Sequence, residues 1–460
     1  MAGARDIGSR LELFVDDWLI DTMTNTSLKL HPPAPAEVAL DFDQPWEGET
    51  SWVANVILDD GRYRLWYRAT GPDGTNRTTC YAESPDGIHF VRPILGLHEF
   101  DGSKVNNIVM GATHWNACVF RDPNPAAPDS QRYKGFLRGK KLDGRCTIYG
   151  YGSPDGIHWR LIQDGPILHA PPDGRPNFDS PNVAFWDVNI RKYVSYLRGF
   201  TSGCNSVGDP TQGGVYRSIR RSDSVDFLDW SVPELIDMGG RQKEHLYTNA
   251  ATQYFRAPHV YLMFPKRLRL GRKFHRDWVS DGLSEGVFMS SRDGIRWDRR
   301  FMGPFIRPGL DSRNWNERNM AAGVGVVPTG PGEISIYYVE NYRNPTCRLR
   351  RGVLRTDGFV SVNAPFGGGE IVTRPFTFAG SELVVNYSTS VAGEIRFELQ
   401  DEQGKSIAGR SLSESAEIFG DEIARAVSWD SGSDVSALAG RPVRLRAVMK
   451  EADLYAIRFR

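Results

Sequence analysis

Carboxylates, histidines and aromatic residues recur just ahead of a repeated asparagine in this chain. Glu47, Glu49 and Trp52 precede Asn55. His114 and Trp115 precede Asn116, and Asp179 precedes Asn182. Glu244, His245 and Tyr247 precede Asn249, and Glu317 and Arg318 precede Asn319. Four of the five groups therefore carry a carboxylate at an equivalent place. Gathered in one cleft, such charges push one another's pKa values apart and separate an acid from a base. One protonated carboxyl at a leaving oxygen, with one ionised carboxylate at an anomeric carbon or its attacking water, is the requirement of glycoside hydrolysis. The nearby rings and amides suit a sugar. The asparagines also admit a plainer role, a hydrogen-bonded structural ring.

A second repeat indicates how these residues are positioned. SPDGIHF (84–90), SPDGIHW (153–159), SVDFLDW (224–230), SRDGIRW (291–297) and RTDGFVS (355–361) share an aspartate at 86, 155, 226, 293 and 357. The spacings are 69, 71, 67 and 64 residues. Ahead of the heptapeptide come an apolar run opened by asparagine (NVILD, 55–59), an alternating segment (YRLWYR, 63–68) and a β-rich segment (TTCYAE, 78–83). A fourth strand follows it. Four short strands in each of five units, with almost no helical periodicity, predict an all-β chain folded as a five-bladed β-propeller. Sheets this small cannot bury their faces alone but share one core when stacked radially. The inner strands then converge on an axis, and their asparagine ends open onto a central funnel. Asp-Gly in the heptapeptide suits a tight hairpin. It resembles the Asp-box of sialidase-type propellers and is read here as structural.

The propeller, with an N-terminal strand segment, is expected to span 1–365. FGGGEIVTRPF (366–376) reads as a linker, and 377–460 as a C-terminal β-sandwich. LELFVDDWLID (11–21) reads as a strand that closes or braces the ring, and its Asp16–Asp17 pair is a further candidate site. The 56 Lys and Arg residues are balanced by 56 Asp and Glu, so there is no electrostatic footprint for nucleic acid or an anionic membrane. Five scattered cysteines without a CxxC motif make neither a zinc framework nor a disulfide framework. The N-terminal residues lack the apolar core of a secretion signal, and no stretch approaches a membrane span. These features predict a cytoplasmic enzyme acting on a small carbohydrate, without cofactor or metal and without nucleic-acid or membrane partners. The β-sandwich is a candidate surface for a homo-oligomer.

Five blades, funnel carboxylates and a trailing β-sandwich resemble the invertase/levanase and arabinosidase-type five-bladed glycoside hydrolases. That resemblance implies an aspartate in a middle blade, matched here by Asp179, and a glutamate general acid in a later blade, matched by Glu244. The first-blade carboxylate falls to Glu47, Glu49 or the Asp16–Asp17 pair, since no WMND-like motif occurs. VFRDPNP (119–125) contains the Arg-Asp-Pro of invertases but follows its inner strand, so Asp122 reads as a hairpin residue. Arg68, Arg138, Arg198 and Lys266 occupy matching strand ends and are read as repeat-level salt bridges. A sugar phosphorylase and a non-catalytic carbohydrate-binding propeller are the alternatives. For the former, the basic run KRLRLGRKFHR (266–276) is a candidate loop for phosphate or a uronate.

Overall fold

The computed structural model describes residues 3–172, 177–179, 181–201 and 215–460. Among these there is no α-helix, only strands, turns and short 3-10 segments. They form two compact units, one of residues 33–353 and one of 1–32 together with 354–460.

In the first unit, antiparallel sheets succeed one another along the chain. Trp52–Asp59, Arg62–Ala69, Thr78–Ser84 and Ile108–Met110 form one sheet. Trp115–Arg121, Tyr133–Arg138, Thr147–Ser153 and Arg160–Leu161 form the next. Val183–Asp187, Lys192–Phe200, Arg217–Ser224 and Glu234–Leu235 follow. The fourth repeat divides into two sheets of three strands, one of which pairs His245–Leu246, Lys266–Arg269 and Leu283–Gly286. The last sheet, Val327–Gly330, Glu333–Glu340 and Arg348–Arg355, takes its outer strand from Ala34–Asp41 at the other end of the unit.

The heptapeptide does local work in four of its copies. Asp86 Oδ1 accepts from the amides of Ile88 (2.8 Å) and His89 (3.0 Å). Asp155, Asp226 and Asp293 repeat the pattern on the amides two and three residues on. These bonds satisfy turn amides that no strand partner reaches. The glycine has a second duty, towards a neighbouring sheet. Trp66 Nε1 donates to Gly156 O (2.7 Å), Tyr196 Oη to Gly294 O (2.7 Å) and Tyr337 Oη to Gly87 O. In SVDFLDW the glycine is replaced by Phe227, and the facing ring there is Phe136, which has no proton to donate. The two phenylalanines pack with ring centroids 6.2 Å apart. The degraded copy is therefore a matched exchange, a polar tie replaced by an aromatic contact.

The second unit corrects the boundaries expected from the sequence. Strands within residues 1–32 pair inside the second unit. Ile20–Thr24 pairs with Gly369–Thr373, Ser27–Leu30 with Val360–Ala364, and Glu12–Leu13 with the long strand Arg444–Phe459. That strand also pairs along Leu383–Gln400. Phe14, Leu19 and Ile20 share one core with Ile371, Phe397, Leu454 and Phe459. The segment 366–376 is thus no linker: Gly369–Thr373 is a paired strand with Ile371 fully buried. The glycine run disguised it, because glycine weakens a strand pattern without forbidding one. The fifth heptapeptide also lies in this unit, where Asp357 accepts from Asn386 Nδ2 (3.0 Å). Asp16 is here too, mostly buried, with Oδ1 accepting from the Trp18 amide (3.0 Å). Cys80, Cys118, Cys146 and Cys347 are buried and free. Cys204 lies outside the described residues. Among the described residues no helix is long and apolar enough to cross a membrane.

Candidate active site

A cavity of about 390 Å³ opens in the first unit, lined by ends of strands from several sheets. Trp52, Asn116, Asp179, Tyr247 and Arg318, all singled out in the sequence, are on its wall. With them stand Thr50, Arg68, Thr70, Gly74, Arg77, Arg138, Tyr342 and Arg343. Asp179 is the one carboxylate among the described lining residues. Its side chain keeps 36% of its surface exposed. Oδ1 faces Arg138 Nη1 at 3.3 Å, Oδ2 faces Arg198 Nη2 at 3.4 Å, and the Tyr247 hydroxyl donates to Oδ2. Burial alone would raise this carboxyl. Arg198, the Tyr247 hydroxyl, Arg138 and Arg318 outweigh it and hold the pKa below the ordinary value. Burial and the Asp179 charge push the Tyr247 phenol well up, so it keeps its proton at neutral pH.

Several expected site residues are engaged elsewhere. Glu47 is buried and bound to Arg92 (2.9 Å), the Tyr67 hydroxyl and the Gln44 amide (3.1 Å). Burial raises its pKa against the pull of Arg92. Glu244 is held by Arg267 (2.7 Å) and Arg299 (3.1 Å), with little of its side chain exposed. Neither lines the cavity. Glu317 is buried between Trp278 Nε1 (2.7 Å) and Arg343 (2.8 Å). Glu49 is exposed and meets the Arg343 amide through its carbonyl. The picture of several carboxylates converging on one point is therefore corrected: Glu47, Glu244 and Glu317, in the loops and turns before or between strands, are each held by an arginine away from Asp179.

The asparagines act mainly as clips between chain segments. Asn55 Nδ2 donates to Ala117 O (2.9 Å), Asn182 Nδ2 to Phe178 O (3.0 Å) and Asn249 Nδ2 to Tyr196 O (3.0 Å). Asn319 Oδ1 accepts from the Tyr342 amide (2.8 Å). Asn116 combines both roles, accepting from Arg68 Nη1 (2.8 Å) on the cavity wall. His114 Nδ1 is 2.6 Å from the Tyr151 hydroxyl and its ring stacks on Tyr149, away from the lining. Burial lowers its pKa. His245 Nδ1 accepts from the Arg217 amide (3.2 Å). Trp115 lies under Arg138 and Arg77, with centroid distances of 5.4 and 5.6 Å.

Of Arg68, Arg138, Arg198 and Lys266, all read as repeat-level salt bridges, Arg138 and Arg198 form ion pairs among the described residues. Arg68 meets an asparagine and a backbone carbonyl, while Arg138 and Arg198 share Asp179. Lys266 is 2% exposed, and its Nζ lies 4.6 Å from the Tyr247 ring centroid and 5.1 Å from that of Trp52. The basic run 266–276 begins as a strand, Lys266–Arg269, not as a loop. Its alternation sends Lys266 toward the rings and Arg267 to Glu244 and Glu285. The matching positions of these cations were the signal for the site. The missed lining residues Thr70, Gly74 and Arg77 sit in or after an irregular turn, where no period marks them.

No protein-family model matches the chain, and no curated protein matches it. Solved structures similar to it include one described as a glycoside hydrolase, with 12% identity over 70% of this chain and 92% of the other, at a TM-score of 0.49. Another belongs to a family of mannoside phosphorylases that contains glycoside hydrolases targeting β-1,2 mannosidic linkages in Candida mannan. It has 15% identity over 74% and 95% of the two chains, at a TM-score of 0.43. A third is an N-acetylgalactosamine deacetylase from F. plautii in complex with blood group B trisaccharide, with 11% identity over 71% and 95%, at a TM-score of 0.46.

Proposed function

We propose that this protein is a carbohydrate-active enzyme that breaks a glycosidic bond, with the reacting sugar seated in the Asp179 cavity of a five-bladed β-propeller and a β-sandwich in the second unit. Closure of the ring is supported by the Tyr337 hydroxyl of the last sheet donating to Gly87 of the first repeat. The parallel bridge between Asn55 and Val324 supports it as well. The observation that carries the catalytic reading is Asp179 itself, a partly exposed carboxylate on the wall of a polar cavity, fixed from three sides. Held ionised, it suits attack at an anomeric carbon or activation of a water there. The Tyr247 hydroxyl fixes its orientation, and Trp52, Tyr342 and Thr50 offer a ring face and hydroxyls to a sugar.

Phosphorolysis is a second reading, favoured by the guanidinium groups of Arg68, Arg77, Arg138, Arg318 and Arg343 on the same wall. A phosphate ion there would occupy the place of a second carboxylate. Screening aryl glycosides and short oligosaccharides, neutral and uronic, with and without inorganic phosphate, tests both. Bond cleavage by the wild type that disappears in Asp179→Asn supports the proposal. Cleavage that persists in Asp179→Asn removes Asp179 from the chemistry.

A further inference from the structure

Behind the Asp179 cavity, three cationic side chains surround one ring. Lys266 Nζ lies 4.6 Å from the Tyr247 ring centroid, Arg198 Cζ 5.5 Å and Arg217 Cζ 5.6 Å. Two of the three residues are more than nine-tenths buried, Arg198 at 3% and Lys266 at 2% exposure. Among the described residues, Lys266 Nζ, Arg198 Nη1 and Nε, and Arg217 Nη1 are buried without a hydrogen-bond acceptor. Arg198 has Asp179 as its carboxylate partner, but Asp179 is shared with Arg138. The other acid nearby, Glu317, is already bound by Arg343.

Burying a cation without a counter-charge is costly, and so is leaving its donors unmade. A fold that held such a surplus for packing alone would gain by replacing it with apolar side chains of the same volume. Guanidinium groups present planar pairs of donors that match an oxyanion, and an ammonium adds a compact third charge. We propose that this cavity is an oxyanion-binding site, in which Arg68, Arg77, Arg138, Arg318 and Arg343 on its wall, backed by the cationic groups around Tyr247, hold the carboxylate of an acidic sugar or an inorganic phosphate ion. The inference rests on reading the cavity as the sugar site and names the chemical class of what enters it: the substrate or its co-substrate is an anion.

The state of Lys266 fits that role. Burial, reinforced by Arg318 and Arg217, holds its pKa well below the ordinary value, while Asp179 and Glu317 pull the other way. A docked oxyanion adds negative charge beside the amine and raises it again.

Isothermal titration of inorganic phosphate and of glucuronate into the full chain at pH 7 tests the site. At least one of the two anions is expected to bind. Arg77→Gln and Arg318→Gln are each expected to weaken it tenfold or more. Phosphate alone binding identifies a co-substrate, and glucuronate alone an acidic sugar. If neither anion binds, or if both variants bind as the wild type does, the proposal is overturned. Should a variant fail to melt cooperatively, the wild type decides: a melting temperature that rises and saturates with the anion is expected, and no rise overturns the site. Anion binding without any glycan cleavage contradicts the proposed activity and leaves this site standing. Cleavage of neutral sugars without anion binding contradicts the site alone.

Discussion

Asp179 is held ionised by an imbalance. One carboxylate faces Arg138, Arg198 and the Tyr247 hydroxyl, and their combined pull exceeds the cost of its partial burial. The sign of its pH dependence follows. A carboxyl held below its ordinary value stays ionised through the usual carboxylate range, about pH 4. The acidic limb of kcat/KM should therefore fall below that range, and the ion pairs' contribution to stability is lost only as pH drops through the depressed value. Arg198→Met removes the largest of the lowering influences and should move that limb upward. An unchanged limb would mean that another group controls it. Glu47 and Glu244 should behave in the opposite way to a catalytic acid. Glu244→Gln leaves Arg267 and Arg299 without their shared carboxylate, at a cost on the order of 3 kcal/mol. Its turnover per folded molecule should stay within a few-fold of the wild type, as kinetics and thermal melts on the same samples would reveal. The sequence could supply the types and order of these residues. It could not say which carboxylates turn inward, because Glu47, Asp179, Glu244 and Glu317 lie outside the strands, where no period fixes a side chain's direction.

Among the elements, the heptapeptide hairpin was the most readable feature, because a turn's chemistry is local. Its aspartate-to-amide bonds are those that Asp-Gly in a tight hairpin leads one to expect. The tie to a neighbouring sheet was not readable, since Trp66 and Gly156 are 90 residues apart. That tie makes a sharp prediction. A β-carbon on Gly156 would stand 2.6 Å from Trp66 Cζ2, on a residue with φ of +79°. Gly156→Ala should cost about 1–3 kcal/mol of stability in denaturant titrations. At Phe227 the reverse holds, because the facing Phe136 needs a ring to pack against. Phe227→Gly should leave a cavity and destabilise the fold by about 3 kcal/mol or more. If Phe227→Gly were neutral, the exchange of a polar tie for an aromatic contact would not be what holds those two sheets.

For the molecule as a whole, the repeat period revealed the β-rich architecture but misplaced the divide between units. A period counts similar segments and is blind to chain ends that return. Ala34–Asp41 completes the last sheet of one unit, and residues 1–32 complete the core of the other. A fragment of 377–460 alone, the sandwich expected from sequence, lacks Phe14, Leu19, Ile20 and the paired strand Gly369–Thr373. It should show no cooperative melt, whereas 354–460 co-expressed with 1–32 should. In the proposed function the Asp179 cavity performs the chemistry and the other carboxylates do not. Its most direct test is the kcat of Asp179→Asn beside that of Glu244→Gln, on whichever glycoside the wild type cleaves. The account predicts a loss of about a hundredfold to ten-thousandfold for the first and near-wild-type turnover for the folded second. A fully active Asp179→Asn with a dead but folded Glu244→Gln would contradict it.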